Sequence, residues 1–144
     1  MSVEKYVELT QIVNKDYRIL HFEIKMPYPT PLQWKFCMSE FDEHLSVLKH
    51  LNCKSAFIMD VKVIGLISVE YIMDFINTLI KYEELLETNF IATSVIYEGT
   101  LISTLFELLK MFYKTKKPIE FVSNMTKAVE FIDSNNKENK ENKH

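Results

Sequence analysis

Two short runs of mostly apolar residues constrain the fold of this chain more than any other feature. They cover residues 56–59 and 90–97. Runs of this length are typical of strands that are buried on both faces of a parallel sheet. Each run follows a stripe of apolar residues at helical spacing, so strands and helices alternate along the chain. This alternation predicts an α/β domain with a mostly parallel central sheet.

The complete predicted order is β-β-α-β-α-β-α-β-α. The first two strands, residues 6–13 and 17–25, alternate in polarity and are separated by a polar turn, which indicates an antiparallel hairpin at one edge of the sheet. The remaining strands are predicted at residues 54–61, 90–97 and 119–122. Right-handed crossovers between parallel strands would place the helices on the faces of the sheet.

Each predicted helix follows a residue that can cap its first turn. The capping residues are Thr30, Ser68, Thr100 and Ser123. At the first helix, Pro31 occupies the first helical position and Gln33 can complete a capping box, which predicts a helix up to about Leu51. The second helix is predicted to end near Glu87.

Length and composition predict one domain. The 144 residues are 47% hydrophobic and 26% charged, which is ordinary for a globular protein. Residues 1–133 form this domain, and residues 134–144 are wholly polar, which predicts a disordered tail. No apolar run approaches the length of a membrane span, so we expect no membrane insertion. Without a signal-peptide pattern, we expect a cytoplasmic protein with free thiols at Cys37 and Cys53.

Several kinds of chemistry are disfavoured. The net charge is −3 and only one of the 17 basic residues is an arginine, so we expect no nucleic-acid partner. The two glycines cannot form a phosphate-binding loop, and we expect no cofactor and no catalytic residue. Cys37, Glu40 and His44 share a helix face and could ligate a metal, but core packing of Cys37 beside two flanking polar residues is favoured.

One edge of the predicted sheet concentrates the remaining candidates. Function in an open α/β sheet lies at the carboxyl ends of the strands, here residues 60–70 and 97–100. Both glycines, Gly65 and Gly99, lie there. Residues 63–67 are strongly apolar for a loop. They either pack under the second helix or offer an apolar patch to a partner.

Over residues 17–132, the chain resembles a STAS domain, the fold of bacterial anti-sigma-factor antagonists. The sequence Ala-Phe-Ile-Met-Asp at residues 56–60 is similar to the central strand of that family, which ends in aspartate. Counting from Asp60 places residues 68–71 at the family's Asp-Ser-Ser-Gly-like motif, whose second serine is phosphorylated in switching members. Here Glu70 stands at that serine position and Tyr71 at the motif glycine.

The resemblance implies a regulatory protein-protein binding module that is not an enzyme and acts in signalling and transcription regulation. Its suspected partner is a kinase-type anti-sigma factor or a related regulator. The loop and the start of the second helix would dock this partner. The predicted partner-binding residues are Asp60, Lys62, Gly65, Leu66, Ser68, Val69, Glu70, Tyr71, Gly99 and Thr100.

Alternatives remain open at two residues and for the function as a whole. Glu70 either imitates a permanent phosphate or is a first-turn carboxylate favoured by the helix dipole. Ser68 is either a phosphorylation site, if the register slips, or a helix cap. The alternative function is a structural subunit or homo-oligomer without phosphorylation switching. A small-molecule pocket or an unrecognised enzyme at the same strand ends is the third possibility.

Overall fold

A computed structural model describes residues 4–99 and 117–141. The strands are β1 (Val7–Val13), β2 (Arg18–Ile24), β3 (Ser55–Asp60), β4 (Phe90–Ile96) and β5 (Ile119–Val122). The helices in this part of the chain are α1 (Pro31–Leu51), α2 (Val69–Lys81), α3 (Glu83–Asn89) and α4 (Met125–Glu141). The predicted helix between β4 and β5, with its cap Thr100, lies outside the described residues. None of the described helices is both long and apolar enough to cross a membrane.

The five strands form one sheet in the order β1-β2-β3-β4-β5. β1 and β2 are antiparallel, with Val7 opposite Ile24 and Val13 opposite Arg18. All other neighbouring pairs are parallel. The predicted fold class, a mostly parallel sheet with an antiparallel N-terminal edge, is therefore confirmed. Because β2 to β5 are parallel, their carboxyl ends meet at one edge of the sheet.

The first helix has the predicted start and end. The backbone N–H of Gln33 donates to Thr30 Oγ1 at 3.1 Å, and the Thr30 N–H donates to Gln33 Oε1 at 2.8 Å. These two bonds form the predicted capping box. At the other end, Asn52 adopts the left-handed conformation with φ of 51° and closes the helix. α1 therefore runs from the carboxyl edge of the sheet back to its amino edge.

Both faces of the sheet are covered, which explains the unbroken apolar runs in β3 and β4. One face packs against α1, α2 and α3, and the other against α4. Alternate residues of β2 serve the two cores: Phe22 faces the first and Ile19 the second. In the first core, the rings of Phe22 and Phe41 contact each other, and both contact Phe57 and Phe75, with ring centroids 5.2–6.2 Å apart.

The predicted second helix is interrupted. It divides at Tyr82, whose φ of −110° and ψ of 25° end α2 before α3 begins at Glu83. The Tyr82 ring is buried, and its hydroxyl donates to the carboxylate of Asp42 on α1. This contact with a distant residue competes with a continuous helix. Apolar spacing alone could not reveal it.

The last helix differs from the prediction at both ends. Its cap is Asn124 rather than Ser123, because the Lys127 N–H donates to Asn124 Oδ1 at 2.9 Å. The helix continues to Glu141 and so includes part of the segment 134–144, for which a disordered tail is predicted. Asn136 is 4% exposed and accepts a hydrogen bond from Lys54 Nζ at 3.1 Å. Packing of Ala128 and Ile132 in the second core anchors this helix, which then extends at one backbone bond per residue.

Candidate partner-binding surface

The candidate surface is built on the β3–α2 loop, residues 61–68, at the carboxyl edge of the sheet. Backbone pairing continues past the strand ends here. The Val61 N–H donates to the Ile96 carbonyl at 2.9 Å, and the Tyr97 N–H donates to the Val122 carbonyl at 3.3 Å. The beginning of the loop and the end of β4 are therefore held side by side by the sheet.

Asp60 shapes the beginning of the β3–α2 loop. Its side chain accepts a hydrogen bond from the Lys62 N–H at 3.3 Å and forms an ion pair with Lys62 Nζ at 3.5 Å. Asp60 is only 7% exposed, whereas Lys62 lies at the surface. Of these two predicted partner-binding residues, Lys62 is accessible to a partner. Asp60 holds the turn that presents it.

The apolar loop serves both of the roles that its sequence left open. Val61 is buried, and Ile64 and Ile67 are half-buried against the first core. Val63 and Leu66 point outward, with 46% and 64% of their surface exposed. Three residues therefore anchor the loop, and two are presented to solvent.

Gly65 allows the loop to lie against the connection between β2 and α1. Its N–H donates to the Pro27 carbonyl oxygen at 2.9 Å. A Cβ atom at this position would lie 2.7 Å from Tyr28 Cε1 and 2.9 Å from the Pro27 oxygen. Carbon atoms pack at about 3.5–4.0 Å, so a side chain at this position would force the loop or its neighbours to shift. Gly65 is buried, and its close approach to Pro27 and Tyr28 holds the loop in place.

The first turn of α2 presents polar groups to solvent. Ser68 caps the helix by accepting a hydrogen bond from the Tyr71 N–H at 3.3 Å. Its side chain is exposed, as is that of Glu70. A carboxylate in a first turn is stabilised by the helix dipole by about 0.3–1 kcal/mol. Val69, which lies between them, is 57% exposed.

Tyr71 fastens α2 to α1. Its ring stacks on Trp34, with centroids 4.6 Å apart and an interplanar angle of 16°. The Trp34 indole N–H donates to Asp74 Oδ2 at 3.0 Å, which adds a second link between the two helices. Tyr71 is half-buried in this arrangement. The stack is worth about 0.5–1.5 kcal/mol beyond area burial, so this predicted partner-binding residue has a structural role.

At the end of β4, Gly99 is exposed and has a φ of 80°, a conformation that favours glycine. Among the residues that the structure describes, a Cβ atom there would meet no other atom within 4 Å, so the backbone conformation is the constraint. Tyr97 packs edge-on against Phe121 with ring centroids 5.6 Å apart. The remaining predicted site residue, Thr100, lies outside the described residues.

One residue of this surface was not predicted from the sequence. Tyr28 is 66% exposed and lies against Gly65. An aromatic residue between two prolines in a connecting segment is a signal that could have indicated it. We call Tyr28, Val63, Leu66 and Val69 the edge patch.

The possible metal ligands on α1 have other partners. The Cys37 thiol donates to the Trp34 carbonyl at 3.2 Å, and His44 Nδ1 shares a hydrogen bond with Gln11 Nε2 at 3.0 Å. Burial raises the pKa of Cys37 to about 12, and the nearby Glu40 carboxylate adds to this shift. In residues 4–99 and 117–141, no three His, Cys, Asp or Glu side chains are grouped as metal ligands.

Comparison with known proteins identifies the fold. No protein-family profile and no curated protein matches the chain. A crystal structure of an uncharacterized protein from the DUF3478 family of Shewanella loihica PV-4, which has a SpoIIAA-like fold, does match. The TM-score is 0.65 at 14% sequence identity, over 92% of this chain and 98% of the other. The chain therefore has the SpoIIAA-like fold, the fold of the STAS domains that its sequence resembles.

Proposed function

We propose that this protein is a regulatory binding module that docks a protein partner through the edge patch and the first turn of α2. The observation that carries the proposal is the exposure of Val63, Leu66 and Val69 in a short segment whose neighbouring residues are anchored. Lys62 and Glu70 flank these apolar side chains. An apolar centre with a polar rim is the usual composition of a protein-protein interface.

The anchoring of the β3–α2 loop also supports a docking role. The Gly65–Pro27 hydrogen bond, the Asp60–Lys62 contacts and the Ser68 cap hold the loop at three points. Binding through a loop that is already ordered costs less conformational entropy than binding through a mobile one. The patch is therefore presented in a form that a partner can recognise without first ordering it.

The resemblance to STAS domains supports a kinase-type anti-sigma factor, or a related regulator in the cytoplasm, as the partner. In this proposal the chain itself catalyses no reaction, and negative charge at the start of α2 controls affinity. Glu70 supplies a permanent charge there. A phosphate on Ser68 would add to it and weaken a docked partner through repulsion and desolvation.

The test begins with a photo-cross-linking residue at position 66 and a matched control at position 51. Leu51 is also an exposed leucine, but it ends α1 at the opposite edge of the sheet. The partner captured through position 66 is purified, and its affinity is measured by calorimetry. We expect Leu66→Asp to weaken binding about ten-fold or more, and Leu51→Asp to change it less than about two-fold.

The charge proposal has its own variant. Glu70→Lys is expected to change the affinity for the same partner while the circular dichroism spectrum and the urea midpoint stay near those of the wild type. Unchanged affinity for both Leu66→Asp and Glu70→Lys in folded protein would refute the docking proposal. Equal capture of the partner from positions 66 and 51 would also refute it.

One observation favours a second candidate function, that of a self-associating structural subunit. α1 exposes four apolar side chains within about 100° of arc on one side of the helix: Leu32, Phe36, Val47 and Leu51. Light scattering over a concentration series tests this candidate. A mass above 17.1 kDa that Phe36→Asp returns to the monomer value supports self-association. A monomer at the highest concentration refutes it.

A further inference from the structure

An apolar cavity that is partly open to solvent lies behind the β3–α2 loop, between the sheet and helices α1 and α2. Its volume is about 80 Å³. All five strands contribute side chains to its wall, and Trp34 and Phe75 line it from the two helices. Ile64 and Ile67 of the loop form the side towards solvent, and both are half-buried.

The cavity is too large to be an ordinary packing gap. Protein interiors contain few voids larger than a water molecule, and about 10–15 Å³ is enough space for one water. This cavity is several times larger. Its lining atoms lack contact partners on one side, so the protein loses dispersion attraction while the cavity is empty. A molecule that fits the space would restore that attraction.

Its lining is not suited to water. Every described residue of the wall has an apolar or aromatic side chain. Tyr6 contributes its ring, and its hydroxyl oxygen is fully buried. A water molecule in a cavity needs about two to four polar partners, and apolar cavities of comparable kind stay dry. The favoured occupant is therefore apolar.

We propose that this cavity is a binding site for a small apolar molecule of single-ring size or smaller. In other proteins, an apolar cavity of about 150 Å³ binds benzene. The cavity here has about half that volume, so it can hold a compact molecule if the half-buried loop moves slightly outward. The aromatic rings and the Met59 sulfur in the wall favour a polarisable, unsaturated molecule. This inference is independent of the docking proposal, because it concerns the inner side of the loop.

The probe is benzene, added to the full-length protein with isotope-labelled isoleucine methyl groups. Ile64, Ile67 and Ile72 line the cavity and report on it by NMR. Ile58 and Ile132 lie in the core on the opposite face of the sheet and serve as internal controls. We expect saturable shifts in the lining methyl groups with a Kd on the order of 1 mM, and no saturable shifts in the controls.

A pair of variants in neighbouring residues tests the location. Ile64→Phe fills the cavity and is expected to weaken benzene binding about ten-fold or more, whereas Val63→Phe, on the exposed side of the same loop, leaves it within about two-fold. Absence of saturable shifts in the wild type, or shifts of equal size on both faces of the sheet, would overturn the proposal. Unchanged binding in folded Ile64→Phe would also overturn it. If Ile64→Phe does not fold, the test rests on the wild type alone: saturable shifts confined to the lining methyl groups support the proposal, and their absence refutes it.

Discussion

Replacement of Gly65 by alanine tests how the β3–α2 loop is held. The added Cβ would lie 2.7 Å and 2.8 Å from two ring atoms of Tyr28, and 2.9 Å from the carbonyl oxygen of Pro27. The Tyr28 ring is exposed and can swing away. The Pro27 oxygen belongs to the backbone, so the loop itself must move by about 0.5 Å to reach ordinary contact distance.

The magnitude follows from what this movement breaks. The Gly65 N–H bond to Pro27, now 2.9 Å, would lengthen to about 3.4 Å and lose its net contribution of roughly 0.5–1.5 kcal/mol. Ile64 and Ile67 would shift within the core, and overpacking of that kind costs about 1–3 kcal/mol when it is complete. We expect Gly65→Ala to lower the free energy of unfolding by about 1–3 kcal/mol in total.

Urea denaturation followed by Trp34 fluorescence measures this change. Gly99→Ala is the control, since its added methyl group has no neighbour within 4 Å among the described residues and costs only the conformational preference at a φ of 80°, about 1 kcal/mol. Tyr28→Ala in the Gly65→Ala background should recover only part of the loss, because the clash with the Pro27 oxygen persists. A loss below about 0.5 kcal/mol for Gly65→Ala, or complete recovery in the double variant, would refute this reasoning.

Three further predictions concern the scaffold. Thr30→Ala removes the α1 capping box and should lower the free energy of unfolding by about 1–2 kcal/mol in urea; an unchanged midpoint would show that the cap is dispensable. Hydrogen bonds from Lys81 hold the pKa of Asp42 below its ordinary value, so Asp42 stabilises the fold above about pH 4 and this effect is lost as the pH falls through the lowered pKa. Asp42→Asn should therefore have a slightly lower free energy of unfolding than the wild type at pH 7; the loss is small because Lys81 is exposed. This difference in free energy should shrink in acid. A constant difference from pH 7 to pH 2 would contradict the linkage. Burial raises the pKa of Cys37 to about 12, so its thiol should react with a disulfide reagent at pH 8 only as fast as the protein opens. The partly exposed Cys53 should react first. Rapid modification of Cys37 in folded protein would be inconsistent with this burial.

Residues that act locally explain most of the successful sequence predictions. The capping box at Thr30 and the cap at Ser68 involve atoms only three residues apart, so their sequence pattern specifies them. The continuous apolar runs in β3 and β4 indicated strands buried on both faces, and the structure confirms this. The two cores that cover these strands are the physical cause of the pattern.

The helix boundaries differ from the predicted ones where distant contacts or competing caps act. Tyr82 interrupts the predicted helix because Asp42, forty residues away, accepts its hydroxyl hydrogen bond. α4 continues into residues 134–141 because the packed turn before them anchors the helix, although these residues contribute no apolar side chain to the core. At Ser123, two adjacent residues of nearly equal capping preference stood side by side, and Asn124 is the one that caps.

At the candidate surface, too, some features depend on nearby residues and others on distant contacts. The sequence alone determined its place, because parallel strands bring their carboxyl ends to one edge and the apolar loop follows Asp60 directly. It could not determine which loop residues face outward. That depends on Gly65 approaching Pro27, a contact across 38 positions of the chain that orients Ile64 inward and Leu66 outward. Local backbone preferences depend on neighbouring residues and can be predicted from the sequence. The exposure of a side chain depends on which distant atoms pack against it, and only the folded chain decides that.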